Sequence, residues 1–146
     1  MSTPRARFLA LVIEQMGAPY RWGSKGQVVR PGIRTFDCSG LVTWALHKVG
    51  GPDWRATHNT DRLWDECRRV DAPQPGDVVL YGAGGARPNP NHVMVCLSDG
   101  LVLGASGGGS RTLTLADAEA QGARVKVFTS ADYRPDRLGF RALPFP

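Results

Sequence analysis

Apolar residues recur at helical spacing in the first half of this chain and gather into short runs in the second half. In PRARFLALVIEQMG, Leu9, Val12, Ile13 and Met16 fall on one stripe, with Thr3-Pro4 as N-cap and first helical residue and Gly17 as the stop. Residues 17–35, GAPYRWGSKGQVVRPGIRT, carry four glycines and two prolines and are expected to be mostly loop. A second helix is predicted from about Cys38 to Val49, with Leu41, Val42, Ala45, Leu46 and Val49 inward and Gly50-Gly51-Pro52 ending it. A third, capped by Thr60, is predicted to reach about Arg69 with Leu63, Trp64 and Cys67 inward.

The period then changes. Asp77–Tyr81, His92–Leu97, Leu101–Ala105 and Arg124–Phe128 have the pattern of short strands, and Ser98-Asp99-Gly100 that of a hairpin turn. A short helix, Leu115–Ala120, separates the last two strands, and the tail offers an edge strand around Leu138–Ala142. Helices followed by a strand meander predict an α+β domain, the helices packed on one face of an antiparallel sheet. With no repeat and no long linker, residues 1–146 are expected to form a single domain.

Composition adds mainly exclusions. No apolar run approaches the roughly 20 residues of a membrane span. The start, MSTPRARFLALVIEQMG, opens like a secretory leader, but its apolar stretch stops at Glu14 and no small-residue cleavage site follows. It reads as a helix of the mature chain, so export by the general secretory route is not expected. Three cysteines without a leader argue against a disulfide framework, and positions 38, 67 and 96 fit no zinc template. The net charge of +5 would favour anionic partners, but the basic residues are scattered and no nucleic-acid motif is present, so no nucleic-acid partner is expected.

Candidate chemistry centres on TFDCSGLVTWALHKV, residues 35–49. Cys38 lies at the start of a predicted helix, where unpaired backbone N–H groups stabilise a thiolate, while Asp37 opposes ionisation in part. Ser39 and Gly40 keep the turn small enough for a carbonyl to approach the sulfur. Of the three histidines, His47 is at the far end of the same helix, His58 reads as a surface residue in WRATHNTDR, and His92 opens a strand after GAGGARPNPN. Cys38 with His92 therefore gives a nucleophile on a helix start and a base at a loop mouth. Cys67 and Cys96 read as core residues, Cys96 on the same strand face as Met94.

These pieces resemble the NlpC family of papain-like cysteine peptidases that cut bacterial cell-wall peptides. GAPYRWG at 17–23, FDCSGLV at 36–42, PGDVVLY at 75–81 and HVMVCLSDG at 92–100 occur in the family's order. The resemblance implies a papain-like fold, Cys38 as nucleophile and His92 as general base. It also implies a pocket of Tyr20, Asp37 and Ser39 that receives the α-amine of a stem peptide, and an oxyanion donor in the Cys38 N–H. Trp22 and Gly23 match the motif as packing and turn residues, and Pro75-Gly76 as a turn with Asp77 tying down neighbouring backbone. No cofactor is implied.

One position departs from the family. Where a third polar residue orients the imidazole, this chain has Gly104, in LVLGASGGGS. Ser106, two residues on along the same strand face, is the candidate replacement; a backbone carbonyl, a water, or a bare dyad are the alternatives. The expected activity is hydrolysis of an amide bond in peptidoglycan stem peptides. The alternatives are a Cys–His amidase or acyltransferase on another substrate, or a degenerate wall-binding or virion component, with specificity set by residues 24–35 and 82–91. A chain without a leader is expected to reach the wall as a phage lysin, on a virion or through a secretion apparatus, whose components would then be partners.

Overall fold

The computed structural model describes residues 2–82 and 88–146. Helix α1 (Pro4–Glu14) starts as its sequence predicts, with the Thr3 hydroxyl accepting from the Ala6 N–H at 3.1 Å and proline in the first turn. Its buried stripe is Phe8 and Val12, flanked by Leu9 and Leu11, whereas Ile13 and Met16 stay exposed. The helix ends at Glu14, so Met16 lies beyond the last turn and cannot extend the stripe.

Residues 17–35 are not mostly loop. Strands β1 (Lys25–Arg30) and β2 (Ile33–Phe36) form an antiparallel hairpin closed at Pro31-Gly32, with Gly32 at φ 77°. Proline followed by a positive-φ glycine is the pattern of a type II turn, so these breakers mark a corner between strands. The hairpin delivers the chain to α2 (Cys38–Lys48), where Leu41, Val42, Ala45 and Leu46 are buried together with Thr43 and Trp44.

Helix α3 (Thr60–Glu66) is shorter than its sequence predicts, because the chain turns extended at β3 (Arg68–Val70). Its cap is Asn59, whose side-chain oxygen accepts from the Arg62 N–H. Thr60 is instead the first helical residue, and its hydroxyl donates to the Pro90 carbonyl at 2.8 Å, tying the helix to the segment before His92. His58, expected at the surface, is buried: it stacks on Trp54 with ring centroids 3.9 Å apart and bonds Thr57 and Glu66.

Strands β4 (Val78–Tyr81), β5 (His92–Cys96), β6 (Val102–Ser106), β7 (Arg124–Phe128) and β8 (Arg137–Ala142) join β3 in one sheet of order β3-β8-β4-β5-β6-β7. All its pairings are antiparallel. The tail strand β8 is interior rather than an edge, lying between β3 and β4. Helix α4 (Leu115–Gln121) fills the connection from β6 to β7 behind a Thr114–Asp117 capping box. The architecture is the α+β arrangement expected.

Side-chain alternation gives the sheet two faces. Val93, Val95, Leu103 and Ala105 join the main core with α1 and α2, while Val79, Tyr81, Met94, Cys96 and Val102 form a smaller core. Phe128, Tyr133 and Phe140 pack on this second core. Cys67 and Cys96 are buried free thiols, and burial raises both pKa values. Asp77 anchors the PGD turn, accepting from the Gln74 N–H and from Arg5. No helix among the described residues is long and apolar enough to cross a membrane. Within the loop expected to set specificity, residues 83–87 lie outside the described residues.

Candidate active site

The N-terminus of α2 is built by Asp37. Its carboxylate accepts from the Gly40 N–H at 2.7 Å and the Gly23 N–H at 2.9 Å, capping the helix and holding the loop before β1 against it. Ser39 reaches the same carboxylate at 3.5 Å. Gly40 is fixed by close approach: a Cβ there would collide with the Ser24 carbonyl oxygen, which itself accepts from the Asp37 N–H at 2.8 Å. The motif FDCSG thus folds into a cap, a first helical residue and a packing contact in five consecutive positions.

Cys38 is that first helical residue, and it is buried. The backbone N–H groups of Val93, Ser39 and Cys38 itself lie near enough to its sulfur to favour the thiolate. Val93 adjoins His92 in β5, so the thiol lies near the start of the strand that carries the imidazole. Tyr20 lies within electrostatic reach of both Cys38 and Asp37, held in place by an isolated bridge to Phe36. Tyr20, Asp37, Cys38 and Ser39 therefore share one locus. Trp22, expected to pack, is 54% exposed beside it.

Electrostatically the pair rests neutral. Burial, and then the neighbouring Asp37 charge, push the Cys38 thiol up to about 12, outweighing the N–H groups at the helix start. Burial, with Arg134 adding to it and Asp136 opposing, lowers His92 to about 4. The resting state is thiol and imidazole, not the thiolate the helix terminus alone would favour. Burial also raises the Asp37 carboxyl, opposed by its Gly40 and Gly23 hydrogen bonds and by Lys25.

His92 Nε2 is engaged by the hydroxyl of Tyr133 at 2.8 Å. Ser106, the candidate from sequence, is buried beside the Tyr133 hydroxyl, and among the described residues no hydrogen bond joins it to the imidazole. Tyr133 belongs to a short 3-10 turn, Ala131–Tyr133, between β7 and β8. The next residues brace the same place, Arg134 bonding both Asn91 at 3.2 Å and Asp136 at 2.6 Å. Sequence reasoning missed this segment, SADYRPDR at 130–137. Nothing within the segment itself signals the role, which arises from a contact with a residue 41 positions away.

Among the described residues, no group of three or more His, Cys, Asp or Glu side chains could hold a metal ion. A buried thiol on a helix N-terminus, joined to a histidine strand of an antiparallel sheet, defines a papain-like α+β domain. The chain belongs to the NlpC/P60 family, whose model matches residues 17–129. It is 38% identical over 102 residues to the peptidoglycan endopeptidase RipB of Mycobacterium tuberculosis, a match covering 64% of this chain and 39% of RipB. Against the peptidoglycan endopeptidase RipA of the same organism it is 33% identical over 100 residues, 62% of this chain and 20% of RipA. The chain thus spans well under half the length of these relatives. The solved structure of RipB superposes with a TM-score of 0.66 at 25% identity, covering 98% of this chain and 65% of that one. NlpC1 of Trichomonas vaginalis has the same fold, with a TM-score of 0.67 at 22% identity over 98% of this chain and 45% of its own.

Proposed function

We propose that this chain is a cysteine endopeptidase that cuts an amide bond within the stem peptide of peptidoglycan. The observation that carries the reading is the placement of Cys38, first in α2 with its sulfur near the backbone N–H of Val93, the residue after His92. The peptidoglycan endopeptidases among its relatives support the substrate class.

With Nε2 turned to Tyr133, Nδ1 is the nitrogen that accepts the thiol proton as sulfur attacks the scissile carbonyl. The tetrahedral oxyanion needs donors, and the Cys38 and Ser39 N–H groups at the helix start have no intrahelical partner. The imidazolium returns its proton to the leaving amine, and a water activated by His92 then hydrolyses the thioester. Because the resting pair is neutral, proton transfer accompanies attack rather than preceding it. Asp37, Ser39 and Tyr20 surround the approach with a carboxylate and two hydroxyls, a receptor for the ammonium end of a peptide.

This substrate sets the place of action, the bacterial wall. Release during phage lysis, carriage on a virion or delivery by a secretion apparatus would each bring the chain there. The test is digestion of purified muropeptides with mass spectrometry of the products. Wild-type protein should yield two fragments from one stem peptide, and Cys38→Ala none. Equal cleavage by the variant would overturn the assignment of the nucleophile.

A further inference from the structure

A side chain at the family's third polar position would have to displace the Met94 thioether in this chain. Gly104 has ordinary strand geometry, yet a Cβ on it would come within 2.7 Å of the Met94 sulfur and 3.2 Å of the Val93 carbonyl oxygen. The space for an orienting side chain from β6 is taken by a thioether from β5. An imidazole in the same core needs an acceptor for its N–H nonetheless, since a buried unpaired donor costs about 1–3 kcal/mol.

We infer that Tyr133 is the positioning residue for His92, reaching its Nε2 from the β7–β8 connection in place of a side chain at position 104. The inference rests on the proposed Cys38–His92 chemistry. Three features suit Tyr133 to the task. Its hydroxyl is 2.8 Å from Nε2. Its ring is clamped, stacked on Phe128 with centroids 3.9 Å apart and planes 6° from parallel, and edge-on to Tyr81 at 5.4 Å. Beside the hydroxyl lies Ser106, able to accept a hydrogen bond from the phenol while the phenol oxygen accepts one from Nε2.

The proton inventory is closed. His92 carries its resting hydrogen on Nε2, donated to the Tyr133 oxygen, which leaves the Nδ1 lone pair for the Cys38 proton. When Nδ1 takes that proton, the imidazolium keeps its Nε2–H bond to Tyr133, and the phenol stays protonated throughout. Burial raises the Tyr133 pKa, consistent with a hydroxyl that orients without ionising. Ser106 thus acts one step removed, through Tyr133.

The experiment compares wild type with Tyr133→Phe, which keeps the stacked ring and removes only the hydroxyl. Long-range ¹H–¹⁵N NMR of ¹⁵N-histidine-labelled protein should show His92 as a single Nε2–H tautomer in wild type and a tautomer mixture in the variant. With muropeptide substrate, kcat should fall about 10- to 100-fold with KM unchanged, the scale of one lost buried hydrogen bond. A retained single tautomer, or a kcat within about twofold of wild type, overturns the inference. The NMR arm needs no turnover. It therefore decides for Tyr133 even if wild-type protein leaves muropeptides uncut, the result that would instead sink the proposed function.

Discussion

Met94 fills the space that a side chain at position 104 would occupy, its sulfur lying 2.7 Å from where a Gly104 Cβ would stand. The two residues face each other from neighbouring strands β5 and β6, on the sheet face that also carries His92, Tyr81 and Tyr133. The large residue and the missing side chain are one packing solution. The polar role displaced from β6 is met by Tyr133, which enters from a different connection.

This coupling predicts a rescue. Removing the thioether and restoring a polar group, as Met94→Ala with Gly104→Asn, rebuilds an orienting side chain on β6. Introduced into Tyr133→Phe, the pair should recover at least about a tenfold part of the lost kcat, whereas Gly104→Asn alone should not. Steady-state hydrolysis of muropeptides by the three variants checks this. The comparison is informative because the sites are in contact and their effects should not add.

Asp37 acts on Cys38 in two opposing ways, and both are measurable. Its carboxylate caps α2, while its charge is the second cause, after burial, of the raised thiol pKa. Asp37→Asn keeps an acceptor for the Gly40 N–H and removes the charge. Alkylation of Cys38 by iodoacetamide, slow at pH 7 in wild type, should then accelerate and shift to lower pH. If the carboxylate receives an ammonium group, KM for stem peptides should rise by about tenfold or more, as expected for one charge-assisted hydrogen bond. Loss of cap quality should cost no more than about 1 kcal/mol in urea unfolding.

Much of this was legible in the sequence, and the misses share a cause. Thr3-Pro4, the apolar face of α2 and the strands at 78–81, 92–96, 102–106 and 124–128 follow from local pattern, and local pattern specified them. The β1–β2 hairpin was hidden because its glycines and prolines mark both a loop and a tight corner. The interior position of β8 and the burial of His58 against Trp54 depend on contacts remote in sequence. Cys38 and His92 stood out by type and placement. Tyr133 did not, because nothing within its own segment distinguishes a tyrosine that packs from one that also holds an imidazole 41 positions away.

Gly40 should tolerate no side chain. The Cβ of Gly40→Ala would overlap the Ser24 carbonyl oxygen, a backbone atom held by the Asp37 N–H and so unable to swing aside. Relief requires moving either the loop before β1 or the first turn of α2. Such overpacking costs roughly 1–3 kcal/mol or more. Urea titration should show that loss, and activity should fall beyond it, because the same shift displaces Cys38 from the Val93 N–H.

Acid should inactivate and destabilise the protein together, through His92. In the unfolded chain its imidazole titrates near the ordinary value of about 6.5. In the fold, burial and Arg134 lower it to about 4, with Asp136 opposing. The other titratable groups in contact with it are Tyr81 on β4 and Tyr133 on the β7–β8 connection. Between these two pKa values the unfolded state binds the extra proton, so stability rises with pH across that window. It is fully present above pH 6.5 and lost as pH falls toward 4, by about 2 kcal/mol at pH 4.5. Urea unfolding at pH 7 and pH 4.5 should show this loss in wild type and a loss smaller by that amount in His92→Gln. The acid limb of kcat/KM, which reports the free enzyme's base, should lie well below 6.5. A limb at 6.5 with no difference between the two proteins in unfolding would mean that His92 is hydrated in solution and free to protonate.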